Sequence, residues 1–383
     1  MGSPPRTKNL VTITYQMMNK LVLVSLTFLL LVSLTACNRQ QEQNNAGGQE
    51  PAATPLKPKG VDFLTFRYPV QHQLYSIGDT VALKWTYRQA PDSSVLHFNG
   101  RKVTTLTGEA GSYVLETGEA AVGSQRIRLV SYYADGVESD DLRIKLASNI
   151  VPEVYTCKIL RTYPHDPAAY TQGLFMHEGS LYEGTGQYGE SSLRKVDLFS
   201  GSVIESLSMP KRYFGEGIAA YDDKIIQLTW RSKVGFVYDQ ESFQLLQKVK
   251  YPYDGWGITF DGDHLLMSDG TATLYFLDPD YFGEVARQEV WNHEGPVSML
   301  NELEYVNGLL YANVWQSSDV LVIEPETGRV LKRMDCSQLV PSQYRTDRDN
   351  VLNGIAYKAD TQTFLLTGKR WPQLFEVRFE KAK

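Results

Sequence analysis

"YFGEGIAAYDDKIIQLTW", Tyr213 to Trp230, reads as two short strands that turn at Asp222 and Asp223. A carboxylate, Glu216, stands between two glycines near its start, and a tryptophan closes it fourteen residues later. A strand that only fills a core favours neither at its ends. The pattern recurs along the chain. The windows "YTQGL" (170–174), "FGEGI" (214–218), "DGWGI" (254–258), "LNELE" (300–304) and "VLNGI" (351–355) start 44, 40, 46 and 51 residues apart. After each comes a second apolar strand: "LYEGTG" (181–186), "IIQLTW" (225–230), "LLMSDG" (265–270), "LYANVW" (310–315) and "FLLTGK" (364–369). A third strand follows each time, and then an outer one such as "VIESLSM" or "LLQKVKY". Four strands at such a period are the signature of a β-propeller. The fifth unit lacks its outer strand, and "TCKILRTYP" (156–164) is free to supply it and leave no open edge. The sequence therefore predicts an all-β chain with a five-bladed propeller over residues 151–383.

Strands alternate in direction within a blade, so the start of the innermost strand and the end of the second share one face near the axis. The third window positions are Gln172, Glu216, Trp256, Glu302 and Asn353; the last positions of the second strands are Gly186, Trp230, Gly270, Trp315 and Lys369. These ten residues are expected to converge on one central depression. Apolar walls with a few convergent polar groups make a ligand pocket.

Ahead of the repeats, residues 61–150 carry short alternating strands separated by turn residues every eight to twelve positions, the pattern of an immunoglobulin-like β-sandwich. Trp85 reads there as a core residue. The N-terminus has a different character. Leu21 to Ser33 is a thirteen-residue apolar run behind Lys20, short for a membrane span and suited to a secretory signal. It ends in "LTAC", which resembles a bacterial lipobox. That resemblance implies a signal peptide over 1–36, lipid on Cys37, a flexible polar linker over 37–60, and a bacterial cell-envelope lipoprotein, periplasmic or in the outer membrane. Of the three cysteines, Cys157 and Cys336 remain, and the sequence leaves open whether they pair. The composition is ordinary, with 21% charged residues and a net charge of −6; without a basic excess, nucleic acid is not an expected partner.

The region from Val154 to Phe379 resembles the plant and bacterial glutaminyl-peptide cyclotransferases. The residues that carry the likeness are "YTQGL", "FGEGI", "DGWGIT", "LNELEYVNGLLYANVW", "VLNGIAY" and "TGKRWPQLFEV", in that order. The resemblance implies a five-bladed propeller that converts the N-terminal glutamine of peptides or proteins to pyroglutamate, with release of ammonia. It implies a pocket of Tyr170, Gln172, Glu216, Trp230, Trp256, Asn301, Trp315 and Lys369. Glu216 is then the expected proton shuttle, and Lys369 and Asn301 the expected oxyanion donors. Tyr170, Gln172, Glu302 and the three tryptophans are expected to hold substrate. Glu302 is ambiguous, because it is the repeat equivalent of Glu216 while the family motif points to its neighbour Asn301.

No G-x-S-x-G, C-x-x-C, H-E-x-x-H or Walker sequence occurs, and the six histidines do not cluster. No cofactor or catalytic metal is expected, although a structural divalent ion in the channel is compatible with the sequence. "TDRDNVLNG" (346–354) reads as an acidic surface loop rather than a calcium loop. A monomer is expected. Two rival readings remain: a non-catalytic, lipid-anchored propeller that holds a peptide or glycan in the same aromatic mouth, and a glycoside hydrolase that uses Glu216 with Glu302.

Overall fold

The computed structural model describes residues 63–382. The expected signal peptide, Cys37 and the linker lie outside the described residues.

Residues 64–147 form two sheets over one core. Strands Leu64–Tyr68, Thr80–Tyr87 and Ser112–Glu116 make the smaller sheet. Gln73–Ser76, Ser93–Phe98, Arg101–Thr107, Gly123–Tyr133 and Gly136–Ala147 make the larger. Alternation decides which side chains meet. In Thr80–Tyr87 every second residue is buried, which turns Val81, Leu83 and Trp85 inward. They pack with Leu96, Ile127, Leu129, Leu142, Ile144 and Leu146 of the other sheet. Trp85 is the core residue the sequence predicts.

From Glu153 onward the chain is a propeller-like array of four-stranded antiparallel sheets. The first holds Thr171–His177, Ser180–Thr185, Ser192–Val196 and Val203–Ser208. Gly215–Tyr221, Lys224–Thr229, Val234–Asp239 and Leu245–Lys250 form the second, and Ile258–Phe260, Leu265–Ser268, Thr273–Leu277 and Glu284–Glu289 the third. Leu300–Val306, Leu309–Val314, Asp319–Glu324 and Arg329–Asp335 form the fourth. The fifth has only three strands from the C-terminal stretch: Leu352–Lys358, Thr363–Gly368 and Gln373–Lys381. Its outer strand is Glu153–Pro164, paired antiparallel with Gln373–Lys381 as the spare "TCKILRTYP" segment requires. The same strand also pairs in parallel with the outer strand of the fourth sheet, Lys332 to Asp335 opposite Glu153 to Thr156. Cys157 is bonded to Cys336 across this junction, 179 residues apart in sequence.

Innermost strands touch one another in chain order, and the fifth returns to the first. They are buried on both faces, whereas outer strands such as Val203–Ser208 are largely exposed. That gradient explains why the inner strands tolerate polar residues only where a partner or a cavity receives them.

Candidate active site

Four of the five innermost strands break register at the same end. The ladder skips between Thr171 and Gly173, Gly215 and Ile218, Leu300 and Leu303, and Leu352 and Ile355. A bulge re-aims the side chains it contains, and here it aims them at the axis. Aligning the skips makes Gln172, Glu216, Asn301 and Asn353 equivalent, with Gly217, Glu302 and Gly354 one place further on. The backbone confirms this offset: Trp230 N–H donates to Phe214, Trp315 to Met299 and Lys369 to Val351. The counterpart of Glu216 is therefore Asn301, and the "LNELE" window stands one residue out of step.

One cavity of about 540 Å³ opens at this end, lined by Tyr170, Gln172, Glu216, Trp230, Trp256, Asn301, Trp315 and Lys369, together with Gln187, Phe214, Arg231 and Asp349. Tyr170, Phe214 and Trp230 form a chain of edge contacts with centroids 6.0 and 5.7 Å apart. Trp256 meets Trp315 edge-on at 5.7 Å. Two of the ten expected ring residues are glycines for a steric reason. A Cβ on Gly186 would lie 2.6 Å from the Phe214 ring, and one on Gly270 2.6 Å from the Trp256 ring.

Glu216 and Lys369 are both buried, and neither side chain makes a hydrogen bond among the described residues. Burial pushes the Glu216 carboxyl well above its ordinary range; the Lys369 cation opposes that and Asp254 adds to it. Burial likewise lowers the Lys369 ammonium to about 8 against the pull of Glu216 and Asp349. Its Nζ lies 4.9 Å from the Tyr170 ring centroid, where the π face holds a cation. Burial, then Asp349 and Glu216, push the Tyr170 hydroxyl up to about 12, so it stays protonated. Asn301 Oδ1 is sealed and unpartnered, which leaves its Nδ2 as the atom facing the cavity.

Gln172 is oriented from behind. Asn353 Nδ2 donates to Thr171 O at 3.0 Å and to Gln172 Oε1 at 3.2 Å, so Gln172 presents its NH2 group to the cavity. Thr171 Oγ1 in turn donates to Glu183 Oε1 at 2.7 Å. His165 joins the first sheet to the fifth, with Nε2 2.9 Å from Glu183 Oε1 and Nδ1 2.6 Å from Trp371 O. Burial pulls the His165 imidazole down, but the Glu183 carboxylate, the Trp371 carbonyl and Asp166 together raise it. Trp371 Nε1 donates to Asn350 O, which fixes the segment carrying Asp349.

Glu302 is the exception among the expected site residues. It is absent from the cavity lining, and its two oxygens accept backbone N–H groups from Leu174 at 3.1 Å and Ile355 at 2.8 Å. It lies one place beyond the cavity-facing position, so the paired carboxylates that a glycoside hydrolase reading needs do not face each other here. Asn353 also stands behind the wall rather than in it.

Residues 137–379 match the family model for glutamine cyclotransferase. The chain belongs to the glutamine cyclotransferase family. It is 39% identical over 229 residues to a glutaminyl-peptide cyclotransferase of Arabidopsis thaliana, a match spanning 59% of this chain and 72% of that protein. It also resembles the crystal structure of Myxococcus xanthus glutaminyl cyclase, with 36% identity and a TM-score of 0.56, over 61% of this chain and all of that one. The cyclotransferase match begins at Val137, inside the last strand of the two-sheet module, earlier than the likeness read from Val154.

Four cavity residues of this cyclotransferase lie outside the sequence reading. Phe214 sits in the quoted "FGEGI" window, and its signal was its place beside Glu216. Asp349 belongs to "TDRDNVLNG", read as a surface loop; Asp347 accepts N–H bonds from Asp349 and Asn350 and folds the loop so that Asp349 reaches the cavity. Gln187 and Arg231 follow the second strands and carry no sequence signal of their own.

Proposed function

We propose that Glu216 moves the proton in the family reaction, the cyclisation of an N-terminal glutaminyl residue to pyroglutamate with loss of ammonia. The observation that carries this reading is one buried carboxyl and one buried ammonium in an indole-walled cavity, neither hydrogen-bonded among the described residues. The substrate α-amine attacks its own γ-carboxamide carbon. A new N–C bond forms while the carbonyl becomes a tetrahedral oxyanion. Glu216 takes a proton from the attacking nitrogen and returns it to the departing one, so the C–N bond breaks and ammonia leaves. A carboxyl raised by burial is suited to both halves of that transfer.

Lys369 and Asn301 Nδ2 face the oxyanion, each donor worth about 2.7–4 kcal/mol by the measured loss of an oxyanion-hole group. The NH2 of Gln172 receives a substrate carbonyl oxygen. Trp230, Trp256 and Trp315 hold the glutaminyl side chain in the reactive rotamer, and for an intramolecular attack that restriction is a large part of the rate. The reaction so written needs no cofactor and one copy of the chain. Incubating a synthetic N-terminal glutaminyl peptide with the protein and a chelator tests it by mass spectrometry. Loss of ammonia faster than in the enzyme-free control is expected, with Glu216→Gln reduced to near that control. Undiminished turnover by the variant would overturn the assignment.

The five four-stranded sheets are, in this reading, the blades of one five-bladed propeller, and residues 64–147 an immunoglobulin-like module ahead of it. Cys37 carries the lipid that tethers the chain to the cell envelope, on the strength of the apolar run and "LTAC". Labelled fatty acid should enter the native protein and not Cys37→Ser; equal labelling of both would remove the tether.

A further inference from the structure

We propose that Arg231 selects substrates carrying a carboxylate on the residue after the glutamine, as its side chain or as a dipeptide's own C-terminus. The inference rests on the placement of the reacting atoms given above. Arg231 lines the cavity and is exposed, with its guanidinium 4.0 Å from the Trp230 ring centroid. Among the described residues it has no hydrogen bond and no carboxylate partner. Stacking on an indole fixes a planar guanidinium while leaving its N–H edge free to meet an anion.

The reaction decides which way the substrate points. Its α-nitrogen must lie against Glu216, and its γ-carbonyl against Lys369 and Asn301. The α-carbon is bonded to that nitrogen, so the peptide continues outward from the Glu216 side. Glu216 and Trp230 belong to one sheet, where Trp230 N–H donates to the carbonyl of Phe214, two residues before Glu216. The second residue therefore passes Trp230 and meets Arg231.

Besides Arg231 and the buried Glu216 and Lys369, the cavity lining carries one more charge with no ion-pair partner among the described residues, Asp349. It stands with Lys369 and Tyr170, close enough to act on both. That is the side of the carboxamide and its departing ammonia, away from the path of the second residue. The cavity volume lies within the range of about 300–1,000 Å³ that encloses a whole small ligand, so more than the glutaminyl group enters.

The test compares four substrates at low salt: Gln-Glu-amide, the free dipeptide Gln-Ala, Gln-Ala-amide and Gln-Lys-amide. With the wild-type protein, kcat/KM for each of the first two should exceed that for Gln-Ala-amide by about two- to fivefold, the worth of an exposed ion pair. Gln-Lys-amide should fall below it. The difference should sit in KM and shrink with added salt. Arg231→Gln should bring the four values together, Arg231→Glu should reverse their order, and Arg231→Lys should restore part of the preference. Circular dichroism checks that each variant is folded. Equal values for all four with the wild type, or a preference that survives Arg231→Gln, would overturn the proposal and leave the cyclisation standing. Failure to cyclise any of the four would overturn both.

Discussion

Glu216 and Glu302 are both buried glutamates on innermost strands, and burial raises the carboxyl of each well above the ordinary range. In burial and in the direction of that shift they are alike. They differ in what their oxygens touch. Those of Glu216 meet a cavity and, among the described residues, no donor, whereas those of Glu302 cap two backbone N–H groups from the first and fifth sheets. Glu304 continues the second pattern by accepting from Tyr357 N–H at 2.8 Å, with burial raising it to about 8. A raised carboxyl thus marks a candidate for chemistry only when its lone pairs are unoccupied. Occupied, the same group is a strut that ties neighbouring strands across the axis.

The sharpest break of this comparison is a pair of isosteric changes. Glu216→Gln should lower kcat by about 10²–10⁴-fold, the usual contribution of general acid–base catalysis, with the melting temperature held or raised. Glu302→Gln replaces one acceptor by an NH2 group facing a backbone donor, so its main effect should be a lower melting temperature. Were Glu302→Gln the inactive and stable member of the pair, the two roles would have to be exchanged.

Lys369 comes next. Lys369→Met should cost about 10²–10³-fold in kcat as an oxyanion donor is lost. Its pH dependence sharpens the same point. Below about 8 the ammonium is charged and can donate; above that value it is neutral, so kcat/KM should acquire a falling alkaline limb near 8. The substrate α-amine, with a pKa of about 8, supplies the rising limb, and together they give a maximum near 8. Lys369→Arg keeps its charge throughout and should remove the falling limb even if its rate is lower. A falling limb that stays at the same pH in Lys369→Arg belongs to another group.

Removing the strut outright acts on stability rather than on rate. Glu302→Ala leaves the N–H groups of Leu174 and Ile355 unmet, and each buried unpaired group costs about 1–3 kcal/mol. Chemical denaturation should show a lower midpoint for the variant; a midpoint equal to that of the wild type would mean the two bonds carry no net weight. Last is Asn353→Ala, which frees the Gln172 amide to turn. A rise in KM of about fivefold is expected for one lost hydrogen bond, with kcat nearly preserved. An unchanged KM would show that Gln172 is held by its own packing.

The repeat was legible because each unit must bury an apolar inner strand and turn back at regular intervals, which writes a period into the sequence. Closure by residues 156–164 was legible for the same reason, since a missing outer strand leaves an unmet edge. The two-sheet module could be read from the alternation that turns Val81, Leu83 and Trp85 inward. Its seam with the third and fourth sheets could not. There Trp291 packs into the module's core, and Glu289 accepts from Ser124 N–H and Trp291 Nε1. Nothing local to "EVWNH" separates a seam tryptophan from a pocket one.

By itself the sequence determined the all-β architecture, the end of the array at which polar residues gather, and eight of the side chains that meet there. Six of the eight follow from periodicity and residue type, which are local properties; Tyr170 and Asn301 came from the family resemblance. Only the tertiary structure decided the rest. The strand pairing fixes the register, which sets the "LNELE" window one residue out of step, so Asn301 and not Glu302 faces the cavity. The Cys157–Cys336 bond required two segments 179 residues apart to lie side by side. Asp349 and Arg231 reached the mouth through a loop fold and an indole stack. Which buried glutamate has its oxygens occupied was settled by partners from other sheets, because a hydrogen bond's second atom is a matter of three-dimensional neighbourhood and not of order along the chain.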